Sequence, residues 1–572
     1  MSGARPNSLV AEATRSVKSE MIGVAVFSAV INLLMLTGPL FMLQVYDRVL
    51  TSRSTATLVA LVILILMLFG FMAVLDAIRA RVLSRIGLKV DAKLRNSVFD
   101  AIVTAQLTRR SISDGQQPLR DLDTIRTFMG GQGPIVLFDL PWMPLYMLLV
   151  FLLHPWLGLL ACAGAVVVVV LTLVTEMKSR EPMQKATQEL GRRNAWTEGS
   201  RRNAEVLKAL GMSKAIRDRW VASHSAASVE QVTGGDSVGG VSAITKAFRL
   251  FLQSALLGLG AYLVIIGQAS GGVMIASSII AARALAPVEQ AIAQWRGFVA
   301  FRQARTRLEQ LLMAPAPART SLPTPMNHVT LTDVAVAPPG ARVVTLMGMN
   351  FTLKAGDGVA VIGPSAAGKS TLARAMVGVW PVVRGELRID GATFDQWAPD
   401  QIGQMIGYLP QAVELFDGTV AANIARFAPD AEGESIVKAA QAAGAHEMIL
   451  KLPEGYDTQI GEQGVTLSAG QRQRIGLARA LYGEPFLVVL DEPNANLDAE
   501  GETALMKAVR SVRDRGGVVV VMAHRPSALA EVDLVLVIKD GKQVMFGPKD
   551  EVLKKAVANP EVAGRSGGVK VA

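Results

Sequence analysis

Gly363-Pro364-Ser365-Ala366-Ala367-Gly368-Lys369-Ser370 follows an apolar pentamer, Gly358-Val359-Ala360-Val361-Ile362, and precedes Thr371-Leu372-Ala373-Arg374-Ala375-Met376. The pentamer reads as a buried strand and the segment after the loop as a helix. This is the strand-loop-helix setting in which such a glycine-lysine-serine loop cradles phosphate. The residue types follow from the chemistry. Glycines let backbone N–H groups wrap an anion, and the helix N-terminus presents its positive dipole end. Lys369 neutralises charge, and the Ser370 hydroxyl is a ligand for Mg2+. Gly363, Ser365, Ala366, Ala367, Gly368, Lys369, Ser370 and Thr371 are therefore the expected nucleotide contacts, with ATP and Mg2+ as the expected ligands.

Further along, Phe486-Leu487-Val488-Val489-Leu490-Asp491-Glu492 is an apolar run too short for a typical helix, ending in two carboxylates. That pattern suits a fully buried parallel strand carrying a site at its C-terminal end. Asp491 is expected on Mg2+, and Glu492 as the general base that polarises the attacking water. Leu467-Ser468-Ala469-Gly470-Gln471 begins its serine 23 residues (491 − 468) before Asp491. It resembles the Leu-Ser-Gly-Gly-Gln signature of ABC-transporter ATPases, with Ala469 in place of one glycine. Gln411, in Tyr408-Leu409-Pro410-Gln411, resembles the Q-loop of that family. Asp498, in Asn496-Leu497-Asp498, resembles its D-loop, and His524, in Ala523-His524-Arg525-Pro526, its switch histidine.

The resemblance implies a head-to-tail homodimer with two ATP molecules sandwiched between nucleotide domains. Each ATP would touch the phosphate loop of one subunit and Ser468 and Gly470 of the other, with Ala469, Gln471 and Asp498 beside them. Gln411 would join Ser370 and Asp491 at the metal, and Glu492, His524 and Gln411 would be the catalytic set. One departure stands out: ABC domains usually carry an aromatic residue about 25 positions before the phosphate loop to stack on adenine. Residues 334–340 contain none, and Pro338 or Pro339 is the apolar surface left there.

The other half of the chain is apolar. Hydrophobic residues make up 51% of the 572 and charged residues only 19%, the upper edge for a soluble protein, in a length that suits two or three domains. Residues 21–46, 54–75, 140–175 and 250–282 contain no Asp, Glu, Lys or Arg, and a bilayer span takes about 20 apolar residues. The third run is broken at His154-Pro155-Trp156 and the fourth near Gly267 to Gly272, giving six spans. A soluble helical core would keep a polar face over such lengths.

Residues 79–131 carry ten Lys and Arg and 178–246 carry twelve, whereas the short connections on the other side carry Arg48 and Arg53, then none, then none. The excess of positive charge on cytoplasmic loops places both long segments, the N-terminus and the ATPase in the cytoplasm. The net charge of +10 is explained largely in this way, and no nucleic-acid partner is expected. The single cysteine, Cys162, lies in an apolar run, which excludes a disulfide within the chain. The polar stretch before the first span suggests neither a cleavable signal peptide nor a peptidase domain.

The fold class expected is an α-helical six-span transmembrane domain of exporter type followed by an α/β P-loop nucleotide-binding domain. The organisation would be a cytoplasmic segment over 1–20, the transmembrane domain with two long cytoplasmic helical loops over 21–312, an Ala- and Pro-rich linker over 313–326, the ATPase over 327–558 and a flexible tail over 559–572.

Further stretches narrow the resemblance. Gly38-Pro39-Leu40-Phe41-Met42-Leu43-Gln44-Val45-Tyr46-Asp47-Arg48-Val49-Leu50, Phe138-Asp139-Leu140-Pro141-Trp142, Arg202-Asn203-Ala204-Glu205-Val206 and Arg283-Ala284-Leu285-Ala286-Pro287-Val288-Glu289-Gln290 are similar to the permease/ATPase of type I secretion systems, in its protease-exporter (PrtD) form. This implies a homodimeric half-transporter in the bacterial inner membrane. It would work with a periplasmic adaptor and a TolC-like outer-membrane channel to export an unfolded polypeptide bearing an uncleaved C-terminal signal. Export of a lipid, glycan or drug, or a membrane ATPase that scaffolds without transporting, are the alternatives. Arg283 falls near the centre of the sixth span, where a charge facing lipid is costly. It is expected to face the interior, with Glu289 about 60° away round the helix as a partial partner.

Overall fold

The computed structural model describes residues 9–107, 116–312, 321–341, 343–461, 466–523 and 529–558. His524, the tail and residues 313–320 of the expected linker lie outside them. The chain divides into two compact units, Met1–Gln106 with Ser111–Pro315, and Leu107–Arg110 with Ala316–Ala572.

The first unit is helical. Six helical stretches are long and apolar enough to cross a bilayer: Lys18–Ser52, Thr55–Ala105, Gln132–Leu153, Pro155–Val174, Ser213–Ile265 and Gly271–Ala293. The six expected spans are thus present. Leu66 and Met67 stand exposed on the second, as side chains solvated by lipid do. Three helices run far past their apolar parts: Thr55–Leu107 and Ser213–Ile265, of 53 residues each, and Pro155–Arg202, of 48. At 1.5 Å per residue the longest extend about 80 Å, against about 30 Å of hydrocarbon. The third and fourth spans part at His154, which is extended and accepts a hydrogen bond from the Trp156 N–H at 3.3 Å, with Pro155 opening the next helix.

Two polar constructions hold this unit together. The first span ends in a π-helical turn, Val45–Val49, from which the Asp47 carboxylate accepts hydrogen bonds from Ser270 Oγ at 2.7 Å and Gly272 N at 2.9 Å. Gly272 lets the carboxylate approach, since a Cβ there would sit 2.6 Å from it and turn it aside. The second is a buried knot of the first three spans. Asn32 Nδ2 donates to Asp139 Oδ1 at 2.7 Å and to Ser28 O at 2.8 Å, and the Tyr146 hydroxyl donates to Asn32 O at 2.7 Å. Arg79 donates to Ser28 Oγ and Asp76, with Asp139 at 3.9 Å. Ser28, Asn32, Arg79, Asp139 and Tyr146 are all buried.

The expected pairing of Arg283 with Glu289 is not found. Glu289 lies 3.0 Å from Arg249 of the helix Ser213–Ile265, and Arg283 is exposed. Six positions turn a helix through 600°, which leaves Glu289 about 120° from Arg283, not 60°, and on a different neighbour.

The second unit is built on a ten-stranded sheet. Its strands are β1 (His328–Val336), β2 (Leu346–Lys354), β3 (Gly358–Ile362), β4 (Val382–Ile389), β5 (Ala392–Thr393), β6 (Ile406–Leu409), β7 (Leu487–Asp491), β8 (Val518–Met522), β9 (Leu534–Lys539) and β10 (Lys542–Pro548). The order is β5-β4-β1-β2-β10-β9-β3-β8-β7-β6. β9, β3, β8, β7 and β6 are parallel. The three in the middle read as unbroken apolar runs because helices cover both faces. Successive residues feed two cores. Val359, Val361, Val489 and Val520 join Leu372 and Met376 on one face, and Ala360, Val488, Leu490 and Val519 join Ile475, Leu477 and Val509 on the other. The phosphate-loop helix, Lys369–Met376, therefore lies across the sheet from the signature helix, Ala469–Leu481, and from Ala499–Asp514.

Candidate nucleotide site

The site forms where β3 and β7 end. Met522 of β8 stands beside both Val361 and Asp491, so the loop after β3 and the carboxylate closing β7 leave the sheet at one level. Gly363 and Gly368 take φ of +158° and +102°, and a Cβ on Gly363 would sit 2.1 Å from the Ile538 carbonyl oxygen. Glycine is thus sterically required at the loop's entry. Gly368 directly precedes the helix Lys369–Met376, leaving its first N–H groups aimed at whatever anion enters.

Lys369 Nζ donates to the carbonyl oxygens of Gly363 at 2.7 Å and Pro364 at 2.9 Å. Burial lowers its pKa, and the charges of Glu492 and Asp491 oppose that. Ser370 Oγ donates to Asp491 Oδ1 at 3.2 Å, and Gln411 Nε2 donates to Glu492 Oε2 at 3.1 Å. Burial pushes the Asp491 carboxyl up; the Ser370 hydrogen bond and the charges of Arg374 and Lys369 draw it down, and Glu492 adds to the rise. Lys369, Ser370, Gln411, Asp491 and Glu492 are therefore brought together. A hydroxyl and two carboxylates beside one ammonium suit a divalent cation carried by phosphate. Among the described residues no group of three His, Cys, Asp or Glu side chains is placed to hold a metal by itself.

The signature residues stand elsewhere. Ser468 precedes the helix Ala469–Leu481 and forms a reciprocal cap with Gln471: the Gln471 N–H donates to Ser468 Oγ at 3.2 Å, and Ser468 N–H to Gln471 Oε1 at 2.8 Å. Asp498 caps the helix Ala499–Asp514 through the Gly501 N–H at 2.8 Å and accepts from Arg474 at 2.7 Å. These contacts hold its carboxyl below the usual carboxylate range. Pro338 and Pro339, half-buried, fall in the turn after β1.

Two features were missed in the sequence. Arg374, one helical turn after Ser370, stacks 4.7 Å over the Trp380 ring and acts on Asp491; the i, i+4 spacing is the signal that places it on that side. Ala366 has φ of +64°, left-handed backbone that costs an L-residue about 1–2 kcal/mol. Ala366→Gly is expected to raise stability by roughly 0.5–1 kcal/mol after the greater unfolded-state freedom of glycine is counted. Thermal unfolding of the variant tests this, and a lower midpoint than wild type refutes it.

The ABC transporter family model matches residues 346–495, and that of the ABC transporter transmembrane region matches 21–287. The chain is 52% identical over 563 residues to the type I secretion system ATP-binding protein PrsD of Rhizobium meliloti (strain 1021), covering 98% of this chain and 97% of the relative. It is 29% identical to the exotoxin translocation ATP-binding protein PaxB of Pasteurella aerogenes, covering 93% and 76%. It is 28% identical to the leukotoxin translocation ATP-binding protein LktB of Mannheimia glucosida, covering 95% and 77%. A solved bacterial Atm1-family ABC exporter with ATP bound shares the fold at a TM-score of 0.83 and 22% identity, over 97% of this chain and 99% of that one.

Proposed function

Because the chain belongs to the ABC transporters of type I secretion, as 52% identity across 98% of its length establishes, we propose that ATP hydrolysed at the site above drives one polypeptide out of the cell. The protein is a multi-pass membrane protein and an ATP hydrolase. The observation that carries the catalytic reading is the meeting of Ser370 with Asp491 and of Gln411 with Glu492.

Gly363, Ser365 to Gly368 and Thr371 would line the phosphates, with Lys369 against the β- and γ-phosphates. Ser370, Asp491 and Gln411 would hold Mg2+, which spreads the phosphate charge when bound. Glu492 polarises the water that attacks the γ-phosphorus. Ser468, Ala469, Gly470, Gln471 and Asp498 serve the partner subunit's ATP; their position across the sheet from the phosphate-loop helix supports this. His524 completes the set in this reading, although it lies outside the described residues.

The protein is a homodimer of the inner membrane, with its N-terminus and ATPase in the cytoplasm. Its partners are membrane lipid, a periplasmic adaptor and a TolC-like channel. The relatives named for exotoxin and leukotoxin translocation support an unfolded polypeptide cargo with an uncleaved C-terminal signal. Exposed Arg283 would meet acidic cargo in a narrow, poorly screened passage. The test is secretion in cells carrying the adaptor and channel. Removing the cargo's C-terminal segment should abolish export, and Arg283→Ala should reduce it several-fold while leaving basal ATPase intact. Undiminished export of the truncated cargo refutes the signal, and undiminished export by Arg283→Ala refutes the role of that arginine.

A further inference from the structure

Gly470, Gln473 and Arg474 stand at i, i+3 and i+4 of the signature helix and so share one face. That face runs along the segment leaving β7. A Cβ on Gly470 would sit 3.0 Å from the Asn496 carbonyl oxygen, so the backbones nearly touch. Gln473, 2% exposed, donates from Nε2 to the Pro493 carbonyl oxygen at 2.9 Å. Arg474 donates to Asp498 Oδ1 at 2.7 Å and lies 3.8 Å from Glu500. One helix thus grips the chain at Pro493, Asn496 and Asp498, within six residues of Glu492. Glu492 itself has φ of +51°, backbone that a glutamate keeps only where its surroundings enforce it.

We propose that Gln473 is a positioning residue that makes the signature serine and the general base of one subunit a single rigid piece, so that ATP engaged at one composite site sets the catalytic geometry of the other. The inference rests on the composite-site reading above. In that reading Ser468 and Glu492 of one subunit serve different ATP molecules. A rigid connection between them is then a coupling between sites, expressed in turnover, where it need not be symmetric as a coupling of affinities must be. Pro493 lacks an N–H, so its carbonyl is the one backbone hydrogen-bonding group it offers, and Gln473 takes it. Gln473→Met keeps the volume and removes the donor, freeing Glu492 to move without emptying the core.

The experiment uses the full-length dimer in lipid. Wild type should hydrolyse ATP with a Hill coefficient above 1. Gln473→Met should bring it to 1 and lower kcat on the order of 10-fold, since a misplacement of about 1 Å at the chemistry costs up to about 10²-fold. Affinity for a fluorescent ATP analogue, measured in the Glu492→Gln background, should stay within about twofold. A wild-type Hill coefficient of 1, an unchanged Hill coefficient in Gln473→Met, or a loss confined to nucleotide affinity overturns the proposal. Should Gln473→Met fail to fold, Arg474→Lys must lower the Hill coefficient in the same direction, and no change there overturns it. Mixing Lys369→Ala with Ser468→Arg subunits tests the underlying reading separately: each heterodimer keeps one intact but uncoupled composite site, which should hydrolyse ATP at about the Gln473→Met rate, and demonstrated heterodimers with no ATPase above either parent refute composite sites whatever Gln473 does.

Discussion

Glu492→Gln should bind ATP as the wild type does and turn it over at least about 10²-fold more slowly, the usual contribution of a positioned general base. Several observations converge on this residue. β7 delivers it beside the phosphate loop, because Asp491 and Val361 flank the same Met522. Gln411 donates to its carboxylate at 3.1 Å, which orients the group without protonating it. Glutamine preserves size and an acceptor oxygen, so Gln411 keeps its partner and the surrounding fold has no reason to relax. What is lost is the ability to draw a proton from water. Steady-state hydrolysis together with binding of a fluorescent ATP analogue separates the two effects. Turnover within about threefold of wild type would falsify the assignment and move the base elsewhere in the site.

The second large effect is on stability. Asp139→Leu should destabilise the membrane unit by about 1–3 kcal/mol, the cost of a buried donor left short of its acceptor, while Arg79 keeps Asp76 and Ser28. Asn32 Nδ2, at 2.7 Å, loses its acceptor on the third span, and the nearby Arg79 guanidinium loses the carboxylate 3.9 Å away. Asp139→Asn keeps an acceptor oxygen and should cost much less. If the knot acts as a unit, adding Arg79→Met to Asp139→Leu should cost clearly less than the sum of the two alone. Thermal unfolding in lipid, with the fraction of monodisperse protein as a second reading, decides it. Strict additivity, or a cost below about 1 kcal/mol for Asp139→Leu, would show that the three helices are held by apolar packing alone.

The meeting of the phosphate-type loop with the Asp491–Glu492 pair was legible in the sequence because each part is local. Gly363 to Ser370 are contiguous, Asp491 and Glu492 adjoin, and a strand buried on both faces leaves an unbroken apolar run such as Leu487 to Leu490. The spans were legible for a similar reason: lipid tolerates so little charge that its absence over 20 residues is itself a signal. What could not be read was which distant side chains meet. Asn32 and Asp139 are 107 residues apart, and nothing in either neighbourhood names the other. Glu289 found Arg249 and not Arg283 because the rotation of a helix selects its neighbour. The alanine at 366 sits in left-handed backbone because the loop's wrapping of its anion site sets φ there, a demand that hydrophobic patterning does not register.

The contact between Asp47 and Gly272 has a consequence for biogenesis. The two residues are 225 positions apart, and the ribosome adds about 5–20 residues per second. The C-terminal end of the first span therefore waits roughly 10–45 s after its own synthesis before the glycine that completes it exists. During that interval the Asp47 carboxylate must be kept wet or be held by a temporary neighbour, and a side chain at 272 pushes it off the Gly272 N–H. A Gly272 variant should accordingly accumulate as an inserted but protease-sensitive chain, a defect of the last assembly step that leaves insertion of the early helices untouched.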